Sequence, residues 1–496
     1  MRWSNFNVAF VALSAALGLC LAWFRDLPMV DLPQHASQIG TWLHWHDPAF
    51  RAAELLELNF RTPYLLAYPL ARLLAPVVGV VPALHFVIWL AIVGNVAALA
   101  YLAQQTGHDR RLALLGFPAA VGYSFYFGFV SFLLATPLAV TCMALSIAYA
   151  EAPSVRRGAL LSALFCLTLT SHGFAFTIAV ACCLPLLWAG RARPVYRFVP
   201  LLAPGLVAWL WIAPGAGERL SNDIWGIEWL RLLDLPASII GLGARHWLVV
   251  LVGACLLLSA LSLLGRPRRS LGRLMPLVLV VCGFALFPAR FHDVGFLSGR
   301  FAGFVLPALL IAFSPRSAAL SESRWGSLTF GLSLAFVCGW CCWFVARLAS
   351  FNREAAPFHE FASAIPSGLR MRSIIFDRDS RAFPDVPAFL HYSAYYQAEK
   401  GGTQGYSFAL NEVSVVRYRP GVTIGVPGAE WSPESFDARA ELPSYDYFVV
   451  RSERDRGSEL FGNVGEPMVL AAHVGSWWGY RREGFARADS RRAGAQ

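Results

Sequence analysis

Two carboxylates and an imidazole open the first polar stretch of the chain: Asp26-Leu27-Pro28, then Asp31-Leu32-Pro33, with His35 close behind. An aspartate held at the mouth of an apolar segment, beside apolar walls, has the chemistry of a general base that takes a proton from a hydroxyl. The same spacing also suits a plainer part, in which Asp31 caps the helix that Pro33 begins and His35 lies at a membrane interface. Farther along, Ser171-His172-Gly173-Phe174 sets an ionisable ring between two apolar segments, where a polar group must face a cavity or a partner. A hydrogen-bonded helix end accounts for that histidine as well. Arg290, His292, Asp293 and Arg300 share one short loop, and paired guanidiniums match the oxygens of a phosphate or pyrophosphate headgroup. Ordinary loop charge is the alternative. Tyr126 belongs to an aromatic turn, Tyr123 to Phe129, that suits either a sugar or lipid groove or an aromatic belt at the membrane surface.

Other chemistries find little support. His44 and His46 stand two apart on a predicted helix and so face different ways, which argues against a shared metal. All ten cysteines, Cys20 to Cys342, lie in the apolar part of the chain, and neither Cys182-Cys183 nor Cys341-Cys342 has metal-ligand spacing. Walker A, Rossmann, nucleophile-elbow and HExxH patterns are missing, which argues against ATP-driven transport, nucleotide-sugar use and hydrolysis. The stretch His391 to Gln397 offers aromatics for carbohydrate, or a helix with a buried tyrosine stripe.

The elements that must position these residues are set by hydropathy. The chain has 496 residues, 56% of them hydrophobic and 15% charged, with a mean hydropathy of +0.51; soluble domains carry about a quarter charged residues. Apolar runs such as Val8 to Phe24, Leu84 to Ala103, Val249 to Leu264 and Thr329 to Ala346 recur, each suited to a hydrocarbon core of about 30 Å. The reading is a polytopic α-helical membrane protein of about 11–13 membrane helices, followed by a small C-terminal α/β domain. Residues 1–349 form the multi-span part, with a first loop, 25–62, that carries two surface helices over Pro33 to Trp45 and Pro48 to Leu58. Residues 350–485 form the α/β domain, with strands expected over Arg372 to Asp377, Val413 to Tyr418, Val422 to Val426 and Tyr445 to Arg451, and 486–496 form a disordered tail. The net charge of +10 is dispersed in short Arg clusters between spans, which excludes a nucleic-acid patch and places those connectors in the cytoplasm. The first loop and the α/β domain then face outward. Parity fails by one span unless the Pro63 to Val78 segment crosses other than simply.

This arrangement of a first span, an acidic outward loop, two surface helices, many spans and an outward α/β domain resembles the GT-C superfamily of polyprenyl-phosphate-dependent glycosyltransferases. It is similar in particular to bacterial membrane proteins whose first loop carries an Asp-x-x-x-His pattern, matched here by Asp31 to His35. The resemblance implies a sugar moved from a polyprenyl-phosphate donor to a lipid, glycan or protein acceptor on the outer face of a bacterial cytoplasmic membrane. It gives Asp31 the role of base, with Asp26 behind it. By position and chemistry, Arg290 and Arg300 would hold the lipid phosphate, with His35, His172, His292 and Tyr126 around the substrate. A divalent cation is open, since an Asp-Glu pair and a later DxD are not evident. A flippase of lipid-linked glycans, or a non-catalytic subunit of an envelope polysaccharide machine, are the competing readings.

Overall fold

The structure, a computed structural model, describes residues 5–190, 194–212, 229–241, 247–262, 264–288, 290–291, 294–316, 324–422 and 431–483. His292 and the proposed tail at 486–496 lie outside the described residues, as does most of a strand expected at 422–426. Two compact units emerge. One comprises Met1–Trp23, Arg61–Leu70 and His85–Ala346; the other comprises Phe24–Phe60, Ala71–Leu84 and Arg347–Gln496.

The first unit is helical. Its elements include α1 (Asn5–Trp23), α4 (Val80–Thr106), α5 (Val130–Glu151), α6 (Val155–Ser171), α7 (Gly173–Trp188), α8 (Leu202–Ile212), α9 (Trp247–Ser262), α10 (Leu271–Leu286) and α11 (Val305–Ala312). Between α1 and α4 the chain forms α2 (Leu32–Leu43) and α3 (Ala67–Val78), and after α11 it forms α12 (Arg324–Ser363). Among the described residues, α1, α4, α5 and the Phe330–Ser363 part of α12 are long and apolar enough to cross a membrane. Others, α7 and α10 among them, are apolar but shorter. Burial separates their roles: 83% of the apolar window of α5 is enclosed, against 17% for α1. A helix apolar all round and enclosed is a core element, whereas α1 leaves its apolar surface for lipid. α5 packs between α6 and α7.

The apolar run at 112–127, which by hydropathy alone reads as a span, breaks up, whereas the segment at 63–78 falls short of a crossing in line with the parity count. At 112–127 the chain forms three short pieces, Arg110–Leu115, Gly116–Ala120 and Tyr123–Tyr126. Pro118 and Gly122 break the run, and a side chain at Gly122 would collide with the Ile239 carbonyl. The segment at 63–78 becomes α3, whose 12 residues reach about 18 Å, short of a full crossing. Gly79, at φ 92°, turns the chain into α4.

The second unit holds the sheet. Its strands are β2 (Arg370–Ile375), β3 (Thr403–Gln404), β5 (Tyr447–Arg451), β6 (Met468–Val474) and β7 (Trp477–Arg482), in the order β6-β7-β5-β2-β3. β2 runs parallel to both β3 and β5, while β5, β7 and β6 are antiparallel in turn. Its core gathers Ile374, Phe448, Val450, Tyr445, Phe461 and Tyr480. The first loop belongs to this unit. The two helices expected on a membrane surface take other forms: α2 buries ten consecutive residues, Leu32 to Thr41, and Pro48 to Leu58 yields one helical turn, Ala52–Leu55. The chain then continues as β1 (Leu56–Leu58), paired with β4 (Val416–Tyr418). The cause is polar: Gln34 bonds the Tyr406 carbonyl and the Phe408 amide, and Gln38 bonds both backbone groups of Val416. α2 also crosses α13 (Ala394–Lys400). Only glycine fits at that crossing, because a Cβ on Gly40 would strike the Ala398 carbonyl.

Candidate active site

Asp31 is the residue before α2, yet its carboxylate makes no capping hydrogen bond. Two local facts explain this. Its backbone is helical (φ −92°, ψ −4°) where a capping residue is normally extended. The second helical residue is Pro33, which has no N–H to donate. The carboxylate instead lies 3.4 Å from His391 Nε2, with 16% of its side chain exposed against 4% for the histidine. The His391 ring stacks on Tyr406 with centroids 5.0 Å apart and planes 12° apart. His35 is buried, with its ring edge-on to Phe408 at 5.4 Å. These residues form a polar and aromatic cluster in the second unit, with one partly accessible carboxylate.

Asp26 sits five residues earlier in a different setting. It is 2% exposed, and both oxygens are engaged by His359 Nε2 at 3.0 and 2.9 Å, while Tyr392 donates to Oδ1 at 2.5 Å. A carboxylate accepts only, so His359 carries its proton on Nε2. The Asp26 backbone is held as well: Asn352 accepts from its amide and donates to its carbonyl. Burial, together with the negative charge of Asp26, holds the Tyr392 phenol well above its ordinary pKa, and burial does the same for Tyr395. Asp26 is thereby clasped on every side. His359 and Asn352 were not singled out in the sequence. Their signal is a spacing of seven on one helix, which puts both on the same face.

The first unit holds the second polar centre. His172 ends α6 and begins α7, and its Nε2 lies 2.9 Å from Arg300 Nη1. The Phe174 amide approaches Nδ1 at 3.1 Å. A neutral imidazole accepts at one nitrogen only, so the ring satisfies one of these donors and not both. Arg300 is 6% exposed. Its guanidinium lies 3.8 Å from the centre of the Phe129 ring and 5.5 Å from that of Phe132. Tyr64 and Phe132 meet His172 edge-on at 4.8 and 5.1 Å. This is a desolvated cation under an aromatic cover, with its donors directed by a histidine. Tyr126 is buried in the adjoining aromatic turn, edge-on to Phe125 at 5.3 Å. Arg290 falls in a short ribbon in which Arg290–Phe291 pairs with Val294–Gly295. Among the described residues, no group of three His, Cys, Asp or Glu side chains could hold a metal ion.

With this geometry in hand, likeness to solved structures decides the fold. ArnT from Cupriavidus metallidurans bound to undecaprenyl phosphate matches with a TM-score of 0.54 at 11% identity, over 97% of this chain and 98% of that one. The fold is GT-C-like. Arabinofuranosyltransferase AftD from Mycobacteria matches with a TM-score of 0.51 at 14% identity, over 97% of this chain and 40% of AftD. The AftD mutant R1389S gives a TM-score of 0.53. The chain therefore spans about two fifths of AftD's length. No protein-family model and no curated protein matches the sequence. The GT-C-like architecture accounts for a chain that joins many apolar helices to a small sheet, as the sequence resemblance implies.

Proposed function

We propose that the protein is a membrane glycosyltransferase that moves a sugar from a polyprenyl-phosphate donor to a lipid, glycan or protein acceptor on the outer face of a bacterial cytoplasmic membrane. The observation that carries this reading is the Asp31 carboxylate, released from capping by Pro33 and set beside His391. In the proposed step Asp31 takes the proton of an acceptor hydroxyl, and the oxygen forms a bond to the anomeric carbon. The bond from that carbon to the phosphate oxygen breaks, and the lipid phosphate leaves with the electron pair. In the other unit, taken by itself, the buried guanidinium of Arg300 beside His172 carries the forked donors that match phosphate oxygens. Asp26 is assigned to hold the loop that presents Asp31.

Purified protein in nanodiscs, given radiolabelled sugar on undecaprenyl phosphate and a bacterial envelope extract of lipids and glycans as acceptor, tests the reading. Wild-type protein should form a covalent product and Asp31→Asn should not, at unchanged expression and thermal stability. Full transfer by that variant removes Asp31 from the mechanism. Movement of the donor across the bilayer without any product would instead mark a flippase.

A further inference from the structure

In the second unit, β3 pairs with one edge of β2 and β5 with the other, although both follow β2 in the chain. The strand order therefore reverses between β2 and β5. In open sheets with parallel strands, the crevice beyond the carboxyl ends at such a reversal is where ligands sit. A groove of about 720 Å³ lies there, walled by Asp377 and Arg378 just after β2, by Arg451 at the end of β5, and by Trp431 and Glu434. None of these residues takes part in the chemistry assigned to Asp31 or Arg300.

The wall is built for something other than an anion. Its charged lining comprises four guanidiniums, of Arg353, Arg378, Arg381 and Arg451, against five carboxylates, of Glu354, Asp377, Asp379, Glu434 and Glu453. Several are already matched. Arg381 pairs with Glu453, Glu354 receives Ser380 and the Ala382 amide and lies 3.7 Å from Arg451, and Arg378 lies 3.9 Å from Asp379. Two carboxylates fall outside these pairs, Asp377 and Glu434, and Asp377 Oδ2 is shielded from solvent with no hydrogen-bond partner. Arg451 is 6% exposed and its Nε is likewise unpartnered. Trp431 keeps 43% of its surface exposed, with the Arg378 guanidinium 5.4 Å from its ring centre.

An exposed indole face, acceptor carboxylates and fixed guanidinium donors around one groove match a ring with one C–H face and many hydroxyls. We infer that this groove binds a neutral glycan, as an accessory carbohydrate site separate from transfer. The excess of carboxylates disfavours phosphate and uronic acids. Indole stacking together with hydroxyl donors to the exposed carboxylate of Glu434 selects sugar over a simple apolar ligand.

Full-length protein in nanodiscs, examined by saturation-transfer NMR with arabinotriose, mannotriose and maltotriose as probes, tests this directly, with trigalacturonic acid and inorganic phosphate alongside. At least one neutral trisaccharide should show transfer, and Trp431→Ala and Glu434→Gln should each weaken its binding by about tenfold. Both residues are exposed, and thermal midpoints should match wild type, so lost binding would not reflect lost folding. Wild-type protein that binds none of the neutral probes, binds trigalacturonic acid or phosphate in preference, or binds equally well in both variants overturns the inference. Because the readout is binding alone, inactivity toward lipid-linked sugar would leave this result unaffected.

Discussion

Asp31 and His391 are 360 positions apart in the sequence, yet they stand 3.4 Å apart within one unit. The arrangement depends on two aromatic supports, Tyr406 under His391 and Phe408 against His35. His391 touches the carboxylate and no reacting atom, so its assigned role is positioning. His391→Gln keeps a donor beside Asp31 but removes the ring and its stack. It should lower kcat by about tenfold to a hundredfold with KM little changed, because a misplaced reacting group loses rate more than binding. Tyr406→Phe retains the stack and should transfer at near the wild-type rate, while Tyr406→Ala should behave like His391→Gln. Equal rates across all three variants would leave His391 a core residue only.

Asp26 leads to a stability prediction. An amide at that position is uncharged and sets an NH2 donor against the His359 N–H in place of one acceptor oxygen, so the clasp loses the His359 bond to one of its two oxygens. Asp26→Asn should destabilise the second unit by about 2 kcal/mol, the scale for losing a hydrogen bond to a buried charged group. Chemical denaturation monitored by near-ultraviolet circular dichroism would show a lower midpoint. A midpoint within error of wild type would mean the clasp contributes little.

Gly40 gives a packing test with a functional readout. Its missing Cβ lets α2 press on the backbone of Ala398, and α13, which carries Ala398, begins three residues after His391. Gly40→Ala should cost about 1–3 kcal/mol by overpacking and should also reduce transfer, since α2 carries Asp31 at its start. An active, equally stable Gly40→Ala protein would show that the crossing tolerates a methyl group.

Much of this molecule was legible in the sequence, and the losses have definite physical causes. Long apolar runs announced α1, α4 and α5 because a helix of one composition from end to end needs no tertiary knowledge. Strands expected at 372–377 and 445–451, from clustered β-branched and aromatic residues, form at 370–375 and 447–451. The first loop did not. Pro33 to Trp45 has the alternation of a surface helix, but Gln34 and Gln38 have backbone partners near 406–416, and no local pattern encodes a partner so far along the chain. The strand at 468–474 was missed because β6 is partly exposed and two alanines and His473 interrupt its apolar residues, which leaves no clear alternation. Asp31 was proposed by type and position; its contact with His391 could only be placed by the fold. His172 and Arg300 were each proposed singly, and their contact at 2.9 Å is a product of tertiary structure.

That contact gives a discriminating substitution. Lysine preserves the charge at 300 but lacks the flat guanidinium that covers Phe129 and the forked donors that meet His172. Arg300→Lys should therefore behave like Arg300→Ala, with binding of undecaprenyl phosphate weakened by about tenfold or more in nanodisc titrations. If lysine restored wild-type affinity, charge alone would suffice and the stacking geometry would be incidental.

The tyrosines of the second unit set an alkaline limit on its stability. Burial raises Tyr392 and Tyr395 well above the ordinary range and pushes Tyr396 and Tyr447 up to about 12. In an unfolded chain the same phenols ionise near about pH 10. Between those limits the folded state holds more protons than the unfolded state, so stability falls as pH rises; below about pH 10 these groups leave it unchanged. Phenolate absorbance should thus lag behind that of a free tyrosine and then rise together with loss of near-ultraviolet dichroism. Tyr392→Phe removes one titrating group and its bond to Asp26. It should be less stable at neutral pH by about 1 kcal/mol and show a shallower decline in alkali. Complete ionisation near pH 10 with the fold intact would mean that these phenols are open to water, and the clasp around Asp26 would have to be abandoned with them.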